Sequence, residues 1–304
     1  MAAIRIQNLK KNYPNGVEAL KGIDLTVEFG DFFALLGVNG AGKSTTIGAL
    51  TTLLNKTSGK IIIQGYDLDT HPEKAKSQLG VVPQEINLNI FESCEEVLLN
   101  QAGYYGISRR QALPHMHFLL ESLSLTHKRR ATVRSLSGGM KRRLMIARAL
   151  IHQPSILILD EPTAGVDIEI RRSMWDFLTH TNAQGTTIIL TTHYLEEAEQ
   201  LCNKVAIIDE GLLIQNTDMQ TLLKTRQHQT FVFQTEQALP AHLEIAPFDV
   251  QIVDTHTFEL RTDVHSTLND IFARLSAQSI RVISMRNKTN RLESLFMDII
   301  HHEH

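Results

Sequence analysis

At 304 residues the chain is about twice the usual domain size, so one large α/β domain with a smaller appendage is expected. Thirty Lys and Arg against 33 Asp and Glu leave a formal charge of -3, which provides no global field for nucleic acid and disfavours its general capture. Hydrophobic residues make up 42% of the chain, enough for a packed core, yet no stretch approaches the roughly 20 apolar residues of a membrane helix, so work at a membrane would need a partner.

Residues 1–11 carry no long apolar core, which argues against a secretory signal. Residues 4–9 and 23–29 alternate like strands of an antiparallel layer. The apolar run 33–36 reads as a buried strand, and a helical stretch is expected over 43–54. Residues 92–125 read as mostly helical without a catalytic motif, a candidate inserted subdomain within about 90–150. A helix is expected over 138–152, a strand over 156–159, a helix over 168–181 and a strand over 188–190. Apolar runs this continuous suit parallel strands covered on both faces, and their alternation with helices is that of an α/β sheet.

After Leu223 the polar stretch 224–229 breaks the pattern and marks the expected boundary between 1–224 and 225–304. Beyond it, strands are expected at 231–233, 250–253, 258–260 and 280–285, with an amphipathic helix at 264–275 and a last helix at 292–300. Phe258, Phe272, Leu275 and Phe296 would form the core of this small α+β domain. Cys94 and Cys202 stand far apart without metal-ligand spacing, the pattern of two reduced thiols in a cytosolic protein, with a single disulfide as the alternative.

Gly37-Val38-Asn39-Gly40-Ala41-Gly42-Lys43-Ser44 fits a phosphate-binding loop and stands in the required place, between a strand and a helix beginning near Lys43. Its glycines let successive N–H groups turn inward on a β-phosphate, and the helix start adds partial positive charge. Lys43 can then reach the β- and γ-phosphates while Ser44 ligates magnesium. Asp160-Glu161 closes the run 156–159, at the strand end where open α/β sheets bind ligands. There Asp160 suits magnesium and Glu161 suits the general base for an attacking water; by itself such a pair is also a common polar turn. Ser137-Gly138-Gly139 offers a second set of amides at a helix start, or simply a cap with Ser137 as the capping residue. Sequence spacing alone does not bring the two loops together.

The set of residues 37–44, Gln84, Leu136-Ser137-Gly138-Gly139, Asp160-Glu161, Asp167 and His193 resembles the ATP-binding cassette of ABC transporters over residues 1–223. Leu136-Ser137-Gly138-Gly139-Met140-Lys141-Arg142-Arg143-Leu144, with Glu161-Pro162-Thr163-Ala164-Gly165-Val166-Asp167, resembles the bacterial ABC-2 exporter ATPases, most of all the YadG-type subunits, whose permease is a separate polypeptide. That similarity continues through Ser284-Met285-Arg286-Asn287-Lys288 and Leu292-Glu293-Ser294-Leu295-Phe296.

The resemblance implies an α/β, P-loop ABC ATPase fold: a mainly parallel sheet core, an antiparallel β layer, a helical subdomain and a small C-terminal α+β domain. It implies an ATPase using ATP and Mg2+. Two cassettes would associate head to tail as a homodimer, so that the phosphate loop of one and residues 137–139 of the other enclose the same ATP. Nucleotide contacts would come from Tyr13, stacked on adenine, from Gly37, Asn39, Gly40, Ala41, Gly42, Lys43, Ser44 and Thr45, and from Ser137, Gly138, Gly139 and Asp167. Ser44, Gln84 and Asp160 would meet magnesium, and Glu161, His193 and Gln84 would be catalytic, His193 through the γ-phosphate and Gln84 through the attacking water. Tyr13 read alone is an ordinary core or surface aromatic, and a lone histidine after a strand is ordinarily structural.

The implied partner is a separate multi-span ABC-2 permease that supplies the membrane contact and to which Gln84 couples the site, with no nucleic acid, at the cytoplasmic face of the cell membrane. Met140 departs from the commoner glutamine and cannot donate an amide hydrogen bond. Two other functions suit a cassette: a soluble ATPase acting on ribosomes or nucleic acid, disfavoured by one cassette without a heptad run, and a mechanical signalling ATPase that moves no cargo. Lys128, Arg129, Arg130, Arg134, Lys141, Arg142, Arg143 and Arg148 read as a solvated face, with acidic lipid or nucleotide phosphate as the alternative. His301, His302 and His304 read as a frayed tail rather than a metal site.

Overall fold

The computed structural model describes residues 2–224, 228–240, 242–263, 267–288 and 291–302. Its contacts divide the chain into two units, residues 1–219 and 220–304. The first unit opens with β1 (Ala2–Asn12) and β2 (Glu18–Glu28), half-buried strands, and β3 (Phe32–Leu36), buried at every residue. Then come α1 (Lys43–Leu50), β4 (Ser58–Ile63), β5 (Tyr66–Asp67), α2 (Pro72–Ser77) and β6 (Leu79–Val82). Three helices that pack on one another follow: α3 (Cys94–Tyr104), α4 (Arg109–Ser122) and α5 (Gly138–Leu150). The unit is completed by β7 (Ile156–Asp160), α6 (Ile168–Ala183), β8 (Thr187–Thr191), α7 (Leu195–Leu201), β9 (Lys204–Asp209) and β10 (Leu212–Asp218).

Two sheets result. One is antiparallel, in the order β2-β1-β4-β5, and bears out the expected antiparallel layer. The other runs β10-β9-β3-β8-β7-β6 and is parallel except for the edge strand β10. Its inner strands β3 and β8 are buried along their whole length, as parallel strands with both faces covered must be. Ile4, Ile6, Leu9 and Ile23 of the first sheet share a core with Phe33, Leu35, Ile156 and Ile158 of the second. Each such side chain contributes about 1.5–3 kcal/mol by leaving water.

Because β3, β8, β7 and β6 are neighbours running the same way, their C-terminal ends line one edge of the sheet. The loops leaving that edge carry residues 37–42, His193, Glu161 and Gln84 respectively.

One boundary is corrected. The helix expected to reach Leu54 ends at Leu50, because Thr52 turns left-handed (φ 60°) and the Leu54 N–H donates back to Gly48 O at 3.0 Å.

The second unit contains most of α8 (Met219–Lys224), then β11 (His228–Thr235), β12 (Asp249–Asp254), β13 (Thr257–Asp263), α9 (Leu268–Ala277), β14 (Val282–Asn287) and α10 (Arg291–His302). Its sheet is antiparallel in the order β12-β13-β11-β14. Phe233 and Phe258 stack in its core at 5.1 Å, whereas Phe272 meets Phe233 edge-on at 6.0 Å and stays 38% exposed, at the rim rather than inside. The polar residues 225–227, the start of the expected helix at 264–266, His304 and the side chains of His301 and His302 lie outside the described residues.

Cys94 and Cys202 are buried free thiols. Among the described residues no helix is long and apolar enough to cross a membrane, and no three His, Cys, Asp or Glu side chains gather to hold a metal.

Candidate active site

The loop between β3 and α1 is shaped by backbone that other residues adopt poorly. Gly40 and Gly42 have φ of 85° and 115°. At Gly37 the limit is space, since a Cβ there would lie 2.3 Å from Ile208 O on β9. The Gly211 N–H donates to Ala41 O at 2.9 Å and ties the loop to the turn after β9. Lys43 folds over this loop, its Nζ donating to Gly37 O at 2.8 Å and Val38 O at 3.0 Å. Burial lowers its pKa, and the nearby charges of Glu161 and Asp160 oppose that shift. Ser44 is exposed on the first turn of α1. The half-buried Tyr13 reaches the same turn, with Oη 3.5 Å from Thr45 Oγ1 and the Lys11 ammonium 4.9 Å from its ring centroid.

The acidic pair is set by the register of β7 on β8, which places Asp160 opposite Thr191. Thr191 Oγ1 donates to Asp160 Oδ1, and the Glu161 N–H is shared between Thr191 O at 3.0 Å and Oγ1 at 3.2 Å. Glu161 has φ of 48°, a left-handed conformation that costs a non-glycine residue about 1 kcal/mol. Interactions from three directions hold it there. Besides Thr191, Gln84 Nε2 donates to Glu161 Oε2 at 3.0 Å, and His193 Nδ1 lies 3.2 Å from the same oxygen. The carboxylate is 16% exposed and the imidazole 50%. Three residues from three separate loops therefore meet at one carboxylate oxygen, on the side of the sheet where Lys43 carries its charge.

Other expected residues are placed differently. Ser137 caps α5, its Oγ accepting from the Met140 N–H at 3.3 Å, and Asp167 caps α6 through the Ile170 N–H at 2.9 Å. Gly139 adjoins α6, where a Cβ would come within 2.9 Å of Ile170 Cδ1. Among the described residues no hydrogen bond joins residues 137–139 to residues 37–45 of the same chain.

The solvated-face expectation is corrected for four arginines. Arg142 is 5% exposed and donates to Pro83 O at 3.0 Å and Gln84 O at 2.8 Å. Arg143 donates to Leu123 O at 3.0 Å, and Arg148 to Asn87 O at 3.1 Å and Oδ1 at 2.6 Å. Arg129 pairs with Glu95 at 3.0 Å. The first three satisfy carbonyls in loops that have no strand partner, a task to which a planar fork of donors is suited. Desolvation lowers the pKa of Arg142, and Glu161 and Asp160 act against it, so Lys43 and Arg142 both lie in the field of the acidic pair.

Sequence reasoning also missed Thr191 and Glu197. Glu197 is fully buried on α7 and accepts at Oε1 from Thr163 Oγ1 and Trp175 Nε1, both at 2.9 Å. Burial raises its pKa, while its Thr192, Trp175 and Thr163 hydrogen bonds act in the other direction.

A phosphate loop, an acidic pair and a histidine on the C-terminal edge of a parallel sheet, with an antiparallel layer and a helical subdomain, define a cassette-type ATPase. The chain belongs to the ATP-binding subunits of ABC transporters, and it is an ATPase. The family model described as ABC transporter matches residues 20–164. The linearmycin resistance ATP-binding protein LnrL of Bacillus subtilis (strain 168) is 34% identical over 304 residues, with 97% of each chain covered. The Nod factor export ATP-binding protein I of Burkholderia orbicola (strain AU 1054) is 41% identical over 211 residues, 69% of each chain. A solved ATP-binding subunit of an ABC transporter superposes with a TM-score of 0.68 at 29% identity, covering 73% of this chain and 92% of that one. An ATP-binding cassette solved as a dimer in a post-hydrolysis state with ADP and Pi gives 0.66 at 25% identity, covering 71% and 98%.

Proposed function

We propose that this chain is the energy-coupling subunit of a bacterial ABC-2-type exporter of the YadG type. It works as a homodimer at the cytoplasmic face of the cell membrane, docked on a separate multi-span permease. Residues 1–224 form the nucleotide-binding domain and residues 225–304 a small α+β domain. The observation that carries the catalytic part is the meeting of Gln84 and His193 on Glu161 Oε2 beside the loop of Lys43. The names of two relatives, one for resistance and one for export, support the direction of transport.

In this reading the amides of residues 37–45 and the Lys43 ammonium bind the phosphates, Lys43 exchanging its carbonyl partners for phosphate oxygens. Tyr13 stacks on adenine. Glu161 accepts a proton from the attacking water, held in place by Gln84 and Thr191. His193 contacts the γ-phosphate. Ser137, Gly138, Gly139 and Asp167 act on the nucleotide held by the second copy, backbone amides serving where Met140 offers no donor. Ser44, Gln84 and Asp160 present hard oxygen donors of the kind magnesium takes; Thr191 orients Asp160, and Gln84 has its carbonyl oxygen free of the Glu161 contact. When bound, magnesium supplies neutralisation of charge on the phosphates.

The test is co-purification from membranes of tagged Glu161→Gln protein with MgATP, followed by mass spectrometry. A multi-span membrane protein in equal amount is the expected result. Ribosomal or nucleic-acid components without a membrane protein would leave the ATPase standing and overturn the exporter role.

A further inference from the structure

The Gln84–Glu161 contact depends on a backbone that the sheet does not hold. β6 is the edge strand, and its ladder to β7 ends at Val82 opposite Leu159. Pro83 and Gln84 run on beyond it, with no strand to fix their carbonyls. Arg142 takes that place: one nitrogen of its guanidinium donates to Pro83 O and the other to Gln84 O, at 3.0 and 2.8 Å. Gln84 then extends its own amide 3.0 Å to Glu161. The side chain is 5% exposed and lies on the buried face of α5 with Met145, Ile146 and Ala149. Desolvating a guanidinium is expensive, so a merely polar position would not keep one here without compensation. The two carbonyls and the negative field of Asp160 and Glu161 supply that compensation.

We propose that Arg142 is a positioning residue for hydrolysis: by holding two successive carbonyls it sets the Gln84 amide against Glu161, touching neither nucleotide nor water itself. The inference rests on the reading of Glu161 as the base and Gln84 as its partner. It assigns lysine as a poor substitute, because an ammonium is a point charge and cannot span two carbonyls as a fixed fork does. It also makes the helix that Ser137 caps a direct support of the chain's own hydrolytic carboxylate.

The experiment is a double-mutant cycle of ATP turnover on the full chain, with any membrane partner it copurifies with, using Arg142→Gln, Gln84→Ala and the pair. A misplacement of about 1 Å is enough to lower kcat by roughly 10²-fold, and this is the expected loss for Arg142→Gln, with KM for ATP changed by less than about 3-fold. In the Gln84→Ala background the further loss should be less than about 3-fold, because the group being positioned is gone. Methylguanidine added to Arg142→Gly should restore part of kcat. An undiminished kcat in Arg142→Gln, or a full second loss on top of Gln84→Ala, overturns the proposal. If Arg142→Gln does not fold, judged by thermal denaturation, Arg142→Lys runs the same cycle with the same criteria. Turnover retained by Glu161→Gln would instead remove the underlying catalytic reading, whatever the cycle shows.

Discussion

Gln84 and Glu161 are joined side chain to side chain across the ends of two neighbouring strands, Nε2 to Oε2 at 3.0 Å. Glu161→Gln preserves the size of the group and leaves an oxygen that Gln84 can still reach, but it removes the proton acceptor. ATP binding should be retained while phosphate release falls by about 10²–10⁴-fold, the usual contribution of a general base. Filter binding and a phosphate-release assay on the same preparation check this. Release at the wild-type rate would dismiss Glu161 as the base.

His193 is half exposed, so its removal should separate activity from stability. His193→Ala is expected to lower turnover by at least roughly 10²-fold, as loss of a preorganised polar contact in the transition state does. The unfolding free energy should change by no more than about 0.5 kcal/mol, the range of a surface substitution, so the thermal midpoint should barely move. Calorimetry alongside kinetics decides; a large fall in the midpoint would make the histidine structural.

Glu197 carries a stability effect of opposite sign to that of an ordinary paired carboxylate. Its folded pKa is raised by burial, so the unfolded chain ionises first and the folded chain retains the proton. Stability therefore falls as pH rises from the unfolded carboxylate value of about 4.3 towards the folded one. Glu197→Gln should flatten that dependence. Glu197→Ala, which leaves Thr163 Oγ1 and Trp175 Nε1 without their acceptor, should cost about 2–4 kcal/mol. Urea midpoints across pH 4 to 8 would show whether the two variants differ in this way.

His152 works in the acid range. It stacks on Tyr105 at 3.6 Å with 7° between planes, Nε2 bonds Leu79 O at 3.0 Å, and Nδ1 is buried without a partner. Burial brings its pKa down to about 4. The folded chain thus keeps it neutral while the unfolded chain takes up a proton near pH 6.5, so stability is lost as pH drops from about 6.5 towards 4. At pH 5 the loss should be about 2 kcal/mol or somewhat less, since the residue is only partly buried. A His152→Gln variant with the same slope between pH 7 and 5 would assign the effect elsewhere.

The phosphate loop is legible from residues alone because its glycines answer a local backbone demand, visible in the φ of Gly40 and Gly42. The meeting of Gln84, Glu161 and His193 is not, since it depends on β6, β7 and β8 being neighbours, and strand order is a tertiary fact. Only the resemblance pointed to it. Arg142 shows a different failure. Three consecutive cations look like a solvated run, yet 142, 145, 146 and 149 repeat at helical spacing, so periodicity carried a signal that charge concealed. The helix expected to reach Leu54 stops early because a left-handed threonine outweighs a helical pattern, and nothing in Thr52 as a residue type announces it.

The site's loops leave four adjacent strands in the order β3, β8, β7, β6, an order unrelated to their succession in the chain. Such an edge is a gauge with a pitch of about 4.8 Å between strands and about 3.3 Å along them. A slip of one step between β7 and β8 would carry Glu161 about 3.3 Å along the sheet, as far as the whole 3.2 Å of its contact with His193. What prevents the slip is the buried register of Ile158 on Ile189. Close packing deep in the sheet thus sets the tolerance of the chemistry at its rim, as the stiffness of a jig sets the accuracy of what is cut on it.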